Sequence, residues 1–169
     1  MRGRIWYPQL DVYDTVRRLG LLLSAWEENP PSIERLLIAD FYLANPPLIH
    51  KTSLPEKVRD YFRELRIPKP EKTFLSYPAA PILFHKMEPI QKKALQALLG
   101  KRVVSSADMR RGIAKLSEFG RAFIEENLSK ASTSTEQELV IFLTTSFAVI
   151  GLEDIAELRR RTGLRRVVQ

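Results

Sequence analysis

Few side chains in this sequence have the types and spacing that enzymatic chemistry requires. The chain has no cysteine, which excludes thiol nucleophiles, disulfides and thiolate metal sites. Its two histidines, His50 and His85, are too few for a histidine-built zinc site, although His50 could serve as a general base if a carboxylate oriented it. We expect His50 to be a loop histidine that hydrogen-bonds to the backbone and His85 to be a partly buried structural residue.

The carboxylates offer no pair with the geometry for acid–base or metal chemistry. Neighbouring residues on a helix point about 100° apart, so adjacent carboxylates do not converge on one metal or one bond. The adjacent pairs of this sequence are Glu27-Glu28, Glu125-Glu126 and Glu153-Asp154. The sequence also has no glycine-rich phosphate loop, no H-E-x-x-H pair and no nucleophile elbow. We therefore assign no catalytic residue, no metal ligand and no cofactor-binding residue.

Asp40 is the one carboxylate in an unusual setting, because the residues on either side of it are apolar. Burying an unpaired carboxylate costs several kcal/mol. Asp40 should therefore pair with an arginine, for which Arg35 and Arg63 are the candidates, or face a partner protein. We favour the structural pair.

Arginines are concentrated at the C-terminal end. Residues 159–169 hold five arginines and no acid, so they supply +5 of the net charge of +7, and the rest of the chain is close to neutral. Such a segment could contact phosphates or an acidic partner, or it could be a helix C-terminus whose cations complement the helix dipole. The candidate contact residues are Arg159, Arg160, Arg161, Arg165 and Arg166.

Three aromatic residues crowd the N-terminus: Trp6, Tyr7 and Tyr13. They could anchor a protein interface or provide a stacking platform. They could equally belong to a segment that folds back onto the core. We retain all three as candidate interface residues.

The distribution of proline divides the chain into two parts that should differ in the length of their helices. All eleven prolines occur at or before Pro89, which predicts short elements in residues 1–89 and longer helices in residues 90–169 of a single domain. Apolar spacing and capping residues predict about seven helices. These cover residues 11–26, residues 33–44 after Ser32, a segment capped by Ser53, residues 88–99 with Gly100 just beyond, a segment from Ser106 or Asp108, residues 136–150 and residues 153–161.

Short strands are predicted beside these helices, at residues 73–75, 101–105 and 165–168. The expected fold class is therefore mainly α, with about seven helices, two or three short strands and a winged-helix-like core. No run of apolar residues is long enough to span a membrane, and the N-terminus lacks the apolar region of a signal peptide. We expect a cytoplasmic protein.

Three segments in this order resemble one protein family. They are RLLIADFYLANPPLIHK at residues 35–51, PILFHKMEPIQ at residues 81–91, and the stretch ending RTGL at residues 151–164. Together they resemble the middle-component proteins of bacterial three-component systems built on an ABC ATPase. The Lamassu defence systems are the known example of such systems, and the family is similar in part to the winged-helix partners of SMC complexes.

The resemblance implies a role rather than a reaction. Middle components are small adaptors between an SMC-like ABC ATPase and an effector, often a nuclease, in defence against phage or plasmids. By this reading the chain is a non-catalytic bridging subunit. ATP and Mg²⁺ would bind the ATPase partner, and the chain could meet duplex DNA within the complex.

Two other readings stay open. The first is a stand-alone winged-helix DNA-binding protein whose C-terminal arginines contact phosphates, although the near-neutral body argues against it. The second is an enzyme, which the residue types disfavour. Neither reading requires a membrane partner.

Overall fold

Eight α-helices and several short 3-10 turns make up the computed structural model, which describes residues 7–26, 28–73 and 77–166. The α-helices are α1 (Val12–Ala25), α2 (Ile33–Ala44), α3 (Glu56–Glu64), α4 (Ala80–Gly100), α5 (Ser106–Arg110), α6 (Glu118–Asn127), α7 (Ser134–Thr144) and α8 (Ile155–Thr162). No helix in the described part of the chain has both the length and the hydropathy to cross a bilayer.

Helix α2 lies at the centre of the core. Eleven of its residues are buried, and it packs against α1, α4 and α7. Ser32 caps its N-terminus by accepting the amide hydrogen of Arg35 at 3.3 Å, which satisfies one of the orphan donors of the first turn. Asp11 caps α1 in the same way through the amide of Asp14. The predicted bounds of these two helices are confirmed to within a residue.

Helix α4 begins eight residues before the predicted start at Glu88. Proline is best tolerated in the first turn of a helix, so Pro89 predicted that the helix begins at the residue before it. Instead Pro89 lies inside α4 on its exposed side. Leu83, Phe84 and Met87 are buried at helical spacing one to two turns earlier, and their packing outweighs the loss of one hydrogen bond.

The predicted strands and winged-helix-like core are wrong. The described residues contain two isolated antiparallel bridges, Ser32 with Ile113 and Val104 with Leu116, and no strand. Residues 101–105 form a turn whose two valines are buried in the core. The two valines predicted a strand because they are β-branched. Their side chains instead fill space in the core, without pairing in a sheet.

The other two predicted strands also fail within the described residues. Thr73 caps a 3-10 turn, and residues 74–75 lie outside the described part. Arg165 and Arg166 have no regular secondary structure, and residues 167–168 are likewise not described.

Several helix ends differ from the prediction. Helix α3 follows Pro55 without a side-chain cap, so Ser53 does not cap it. The segment from Ser106 splits into α5 and α6, with Gly112 between them at φ +77°. Helix α7 ends at Thr144 and a 3-10 turn follows it.

The C-terminus of α4 ends on an arginine in a left-handed conformation. The amide of Val103 donates to the carbonyl of Leu98 at 2.9 Å, and the amide of Arg102 donates to that of Leu99 at 3.1 Å. This is the Schellman pattern, in which glycine normally occupies the left-handed position. Arg102 takes that position with φ +59°, and Gly100, which was predicted to lie just beyond the helix, is its last residue. Arg66 has φ +53° just after α3.

Glycine at either left-handed position should stabilise the protein. A side chain in this conformation costs about 1–2 kcal/mol, and part of that cost is offset by the extra entropy that glycine loses on folding. We expect Arg66→Gly and Arg102→Gly each to raise the free energy of unfolding by about 0.5–1 kcal/mol in urea titrations. A loss of stability in both variants would contradict this assignment.

Candidate partner-binding surfaces

A buried polar network joins α1, α2 and α4, with Asp40 at its centre. Arg18 donates through Nε to Oδ1 of Asp40 at 2.8 Å and through Nη1 to Oδ2 of Asp14 at 2.6 Å. Gln91 donates to Oδ2 of Asp40 at 2.9 Å. Asp40 is therefore structurally paired as predicted, but its partner is Arg18 and not Arg35 or Arg63. Burial opposes the charge of Arg18, yet the two carboxylates raise its pKa above the ordinary value.

Arg159 and Arg166 attach the C-terminal segment to α2. Arg159 of α8 donates through Nε to Oε1 of Glu34 at 2.8 Å, and the backbone amide of Arg166 donates to the same oxygen at 3.2 Å. Burial alone would raise the pKa of Glu34, but these hydrogen bonds hold it below its ordinary value. The segment after α8 is thereby fastened to α2.

Arg166 is buried against α4. Its guanidinium carbon lies 3.6 Å from the centre of the Phe84 ring, and Nη2 donates to Oε1 of Gln91 at 2.7 Å and to the carbonyl of Phe84. Nη1 lies 3.4 Å from a carboxylate oxygen of Glu88. Burial lowers the pKa of Arg166. This arginine fixes the end of the described chain to the core rather than facing solvent.

The other three C-terminal arginines reach solvent to different degrees. Arg161 binds Glu157 at 2.9 Å and the carbonyl of Ser53 at 2.8 Å. Arg160 and Arg165 are exposed. Of the five C-terminal arginines, Arg160 and Arg165 are therefore exposed, and the other three hydrogen-bond to groups of the fold.

The predicted aromatic anchors are only partly described. Trp6 lies outside the described residues. Tyr7 is exposed, and Tyr13 on α1 has 87% of its surface accessible. Tyr13 therefore does not belong to the core.

Two exposed apolar surfaces escaped the sequence analysis. The first, the phenylalanine pair, is Phe119 and Phe123 on α6, whose rings stack with centroids 6.2 Å apart. Phe119 is 60% exposed, while Gly120 and Ile124 on the same helix are buried. The one-turn spacing of the two phenylalanines resembles a core stripe, so the sequence gives no sign that this face is outward.

The second surface, the α7–α8 loop, is held by a buried arginine. Arg35 donates to the carbonyls of Ala148 at 3.0 Å, Ile150 at 2.8 Å and Gly151 at 2.6 Å. The loop presents Val149 and Leu152, which are 59% and 68% exposed. They border a groove of about 1090 Å³ whose other walls include Trp26, Pro30 and Ile155.

The histidines and carboxylates do not converge. Nε2 of His50 lies 2.7 Å from the carbonyl of Ile67, which confirms the predicted backbone contact. His85 is largely exposed, so its prediction as a partly buried residue is wrong. In the ranges that the structure describes, no three carboxylate or histidine side chains are grouped as metal ligands.

The comparison with protein families identifies the chain. The family model of Middle Component 5 (MC5) of the ABC-three component (ABC-3C) systems matches residues 4–167. The chain belongs to the MC5 family. Searches of curated proteins and of solved structures found no match. An MC5 protein is one component of a three-component system and therefore has partners in that system. The resemblance read from the sequence is confirmed at this level.

Proposed function

We propose that this MC5 protein is a non-catalytic adaptor that joins an SMC-like ABC ATPase to an effector of the nuclease type, in defence against phage or plasmids. The family match over residues 4–167 carries the proposal, because a middle component functions with the other components of its system. ATP and Mg²⁺ would bind the ATPase. The Lamassu systems are the comparison we propose for its biological role.

The exposed apolar side chains support an adaptor. Stable protein complexes bury apolar and aromatic side chains at the centre of each interface. An adaptor that holds two partners needs two such centres. The phenylalanine pair on α6 and the α7–α8 loop are distinct elements with exposed apolar side chains. We assign one partner to each, with Tyr7, Tyr13, Arg160 and Arg165 as further candidate contacts.

Co-expression with the ATPase and the effector of the same three-component system tests this proposal. The expected result is a ternary complex that an affinity tag on the ATPase recovers, and omission of this chain should release the effector. Recovery of the ATPase–effector complex without this chain would overturn the proposal, as would failure of the chain to bind either protein.

Surface variants should separate the two partners. Leu152→Asp and Phe119→Asp each place a charge where an apolar centre would be desolvated, which costs at least 2 kcal/mol, or about 30-fold in affinity. We expect each variant to lose one partner and keep the other in quantitative pull-downs. Ile82→Asp, at an exposed apolar position on α4, is the matched control and should keep both. If both surface variants bind like the control, the assigned surfaces are wrong.

A further inference from the structure

The exposed face of α4 and the two residues that follow the helix carry four cations that form no ion pair with another described residue. The four residues, here the α4 strip, are Lys86, Lys93, Lys101 and Arg102, and all are exposed. Ion pairs between described residues use Lys92, which binds Glu88 at 3.1 Å, but none of these four. Glu88, the one acid of α4, is already shared by Lys92 and Arg166.

The other helices differ from α4 in this respect. The outer face of α3 alternates three cations with three acids. Helices α6 and α7 are acidic, and each of the three arginines of α8 lies within ion-pair distance of a carboxylate. Exposed cations without an ion pair also occur outside the strip, such as Lys69, Lys115 and Arg165, but α4 differs from the other helices in carrying such cations without nearly as many acids.

The spacing along α4 suits a linear array of phosphates. Lys86 and Lys93 are seven residues apart, so they project within about 20° of each other and about 10 Å apart along the axis. Lys101 lies about 22 Å from Lys86 along the same direction. At the far end of the strip, Arg102 borders a groove that three acids and two further cations also line, so the charge is balanced there and the strip ends; these residues are Asp108, Glu118, Glu125, Lys115 and Arg121.

We propose that the α4 strip binds the phosphate backbone of a nucleic-acid duplex. Lysine is depleted at the centres of protein interfaces, whereas it is a common phosphate contact. The middle of the strip has no aromatic residue. A surface for single strands normally stacks bases on aromatic rings, so a duplex fits the strip better.

Arg102 and Arg66 form a matched pair for testing this inference. Arg102 occupies a left-handed position where glycine is the usual residue, with φ +59°. Arg66 provides an internal comparison, because it is also an exposed arginine in a left-handed conformation after a helix, yet it follows the charge-balanced α3. The strip, rather than the C-terminal arginines, is thus the inferred phosphate contact, and this inference does not depend on the adaptor role.

Fluorescence anisotropy of the full chain tests the proposal with three probes of one sequence: a 30-base-pair DNA duplex, the corresponding RNA duplex and the single DNA strand. Four phosphate contacts predict a slope of about −3.6 for log affinity against log salt with duplex DNA. Tighter binding of one duplex identifies which nucleic acid is recognised. No duplex binding at 50 mM salt would overturn the proposal, as would equal affinity for the single strand.

Variants assign the binding to the strip. Arg102→Gly removes one contact and should weaken duplex binding about tenfold at 50 mM salt and reduce the slope to about −2.7. Arg66→Gly makes the same chemical change off the strip and should leave binding unchanged. Lys86→Ala with Lys93→Ala should weaken binding about 100-fold, whereas Lys57→Ala with Arg59→Ala on α3 should not. Equal effects of the two glycine variants, or of the two alanine pairs, would overturn the proposal.

Discussion

Replacing Asp40 with alanine is expected to lower the free energy of unfolding by about 3 kcal/mol. Asp40 is completely buried, and Arg18 is almost so. Removing one member of a buried ion pair leaves the other charge in a medium that solvates it poorly, which typically costs about 3–5 kcal/mol. We take the lower end because Arg18 keeps Asp14, at 2.6 Å, as a second carboxylate.

Urea denaturation of Asp40→Ala and Asp60→Ala provides a direct comparison. Asp60 binds Arg63 at 3.2 Å on an exposed face, and such pairs contribute about 0–1 kcal/mol. The Asp60→Ala variant should therefore have a free energy of unfolding close to that of the parent protein. A double replacement, Arg18→Met with Asp40→Leu, should recover part of the loss because it leaves no buried charge. A cost below 1 kcal/mol for Asp40→Ala would show that the pair is not critical for stability.

Replacing Gly120 with alanine should have the second large effect, about 2–3 kcal/mol. An added Cβ would lie 1.9 Å from the carbonyl oxygen of Val103 and 2.7 Å from its carbonyl carbon. These are backbone atoms, so α6 and the turn after α4 must separate to relieve the clash. The same shift would disturb the phenylalanine pair on one side and Arg102 on the other.

Gly100→Ala is the matched control for Gly120→Ala. A Cβ at Gly100 would meet nothing within 4 Å, and the residue is helical. Alanine is favoured over glycine in a helix by about 0.5–1 kcal/mol, so this variant should be slightly more stable. Thermal unfolding followed by circular dichroism distinguishes the two outcomes. Equal melting temperatures for the two variants would contradict the close approach of α6 to Val103.

The sequence predicted the elements whose signals are local. Helix α2 begins at Ile33 as predicted because Ser32 is a strong cap and the residues that follow are apolar. Helix α4 and the strands were mispredicted because packing between distant segments decided them. Pro89 is tolerated inside α4 since the buried face around it stabilises the helix. Val103 and Val104 are buried, and the residues that the structure describes form no strand beside them.

The candidate sites were predicted only in part, because their contacts also join segments that are distant in the sequence. Sequence reasoning required a partner for Asp40 but could not identify Arg18, which is 22 residues away and lies on another helix. It located the C-terminal arginines but could not know that Glu34 would bind Arg159 or that Phe84 would cover Arg166. Exposed apolar residues such as Phe119 are indistinguishable from core residues until the fold is known. The family resemblance rested on three motifs in order, and the family match over residues 4–167 confirms it at the level of the ABC-3C middle components.

The hydrogen bonds by which Arg35 holds the α7–α8 loop bear on which substitutions this protein can accept in the loop. All three of its hydrogen bonds in the loop go to main-chain carbonyls, which every amino acid supplies. The shape of the loop therefore does not depend on which side chains project from it at positions 149 and 152. Substitutions at those two positions leave the three hydrogen bonds in place, so recognition can change as partners diverge while the loop keeps its backbone shape.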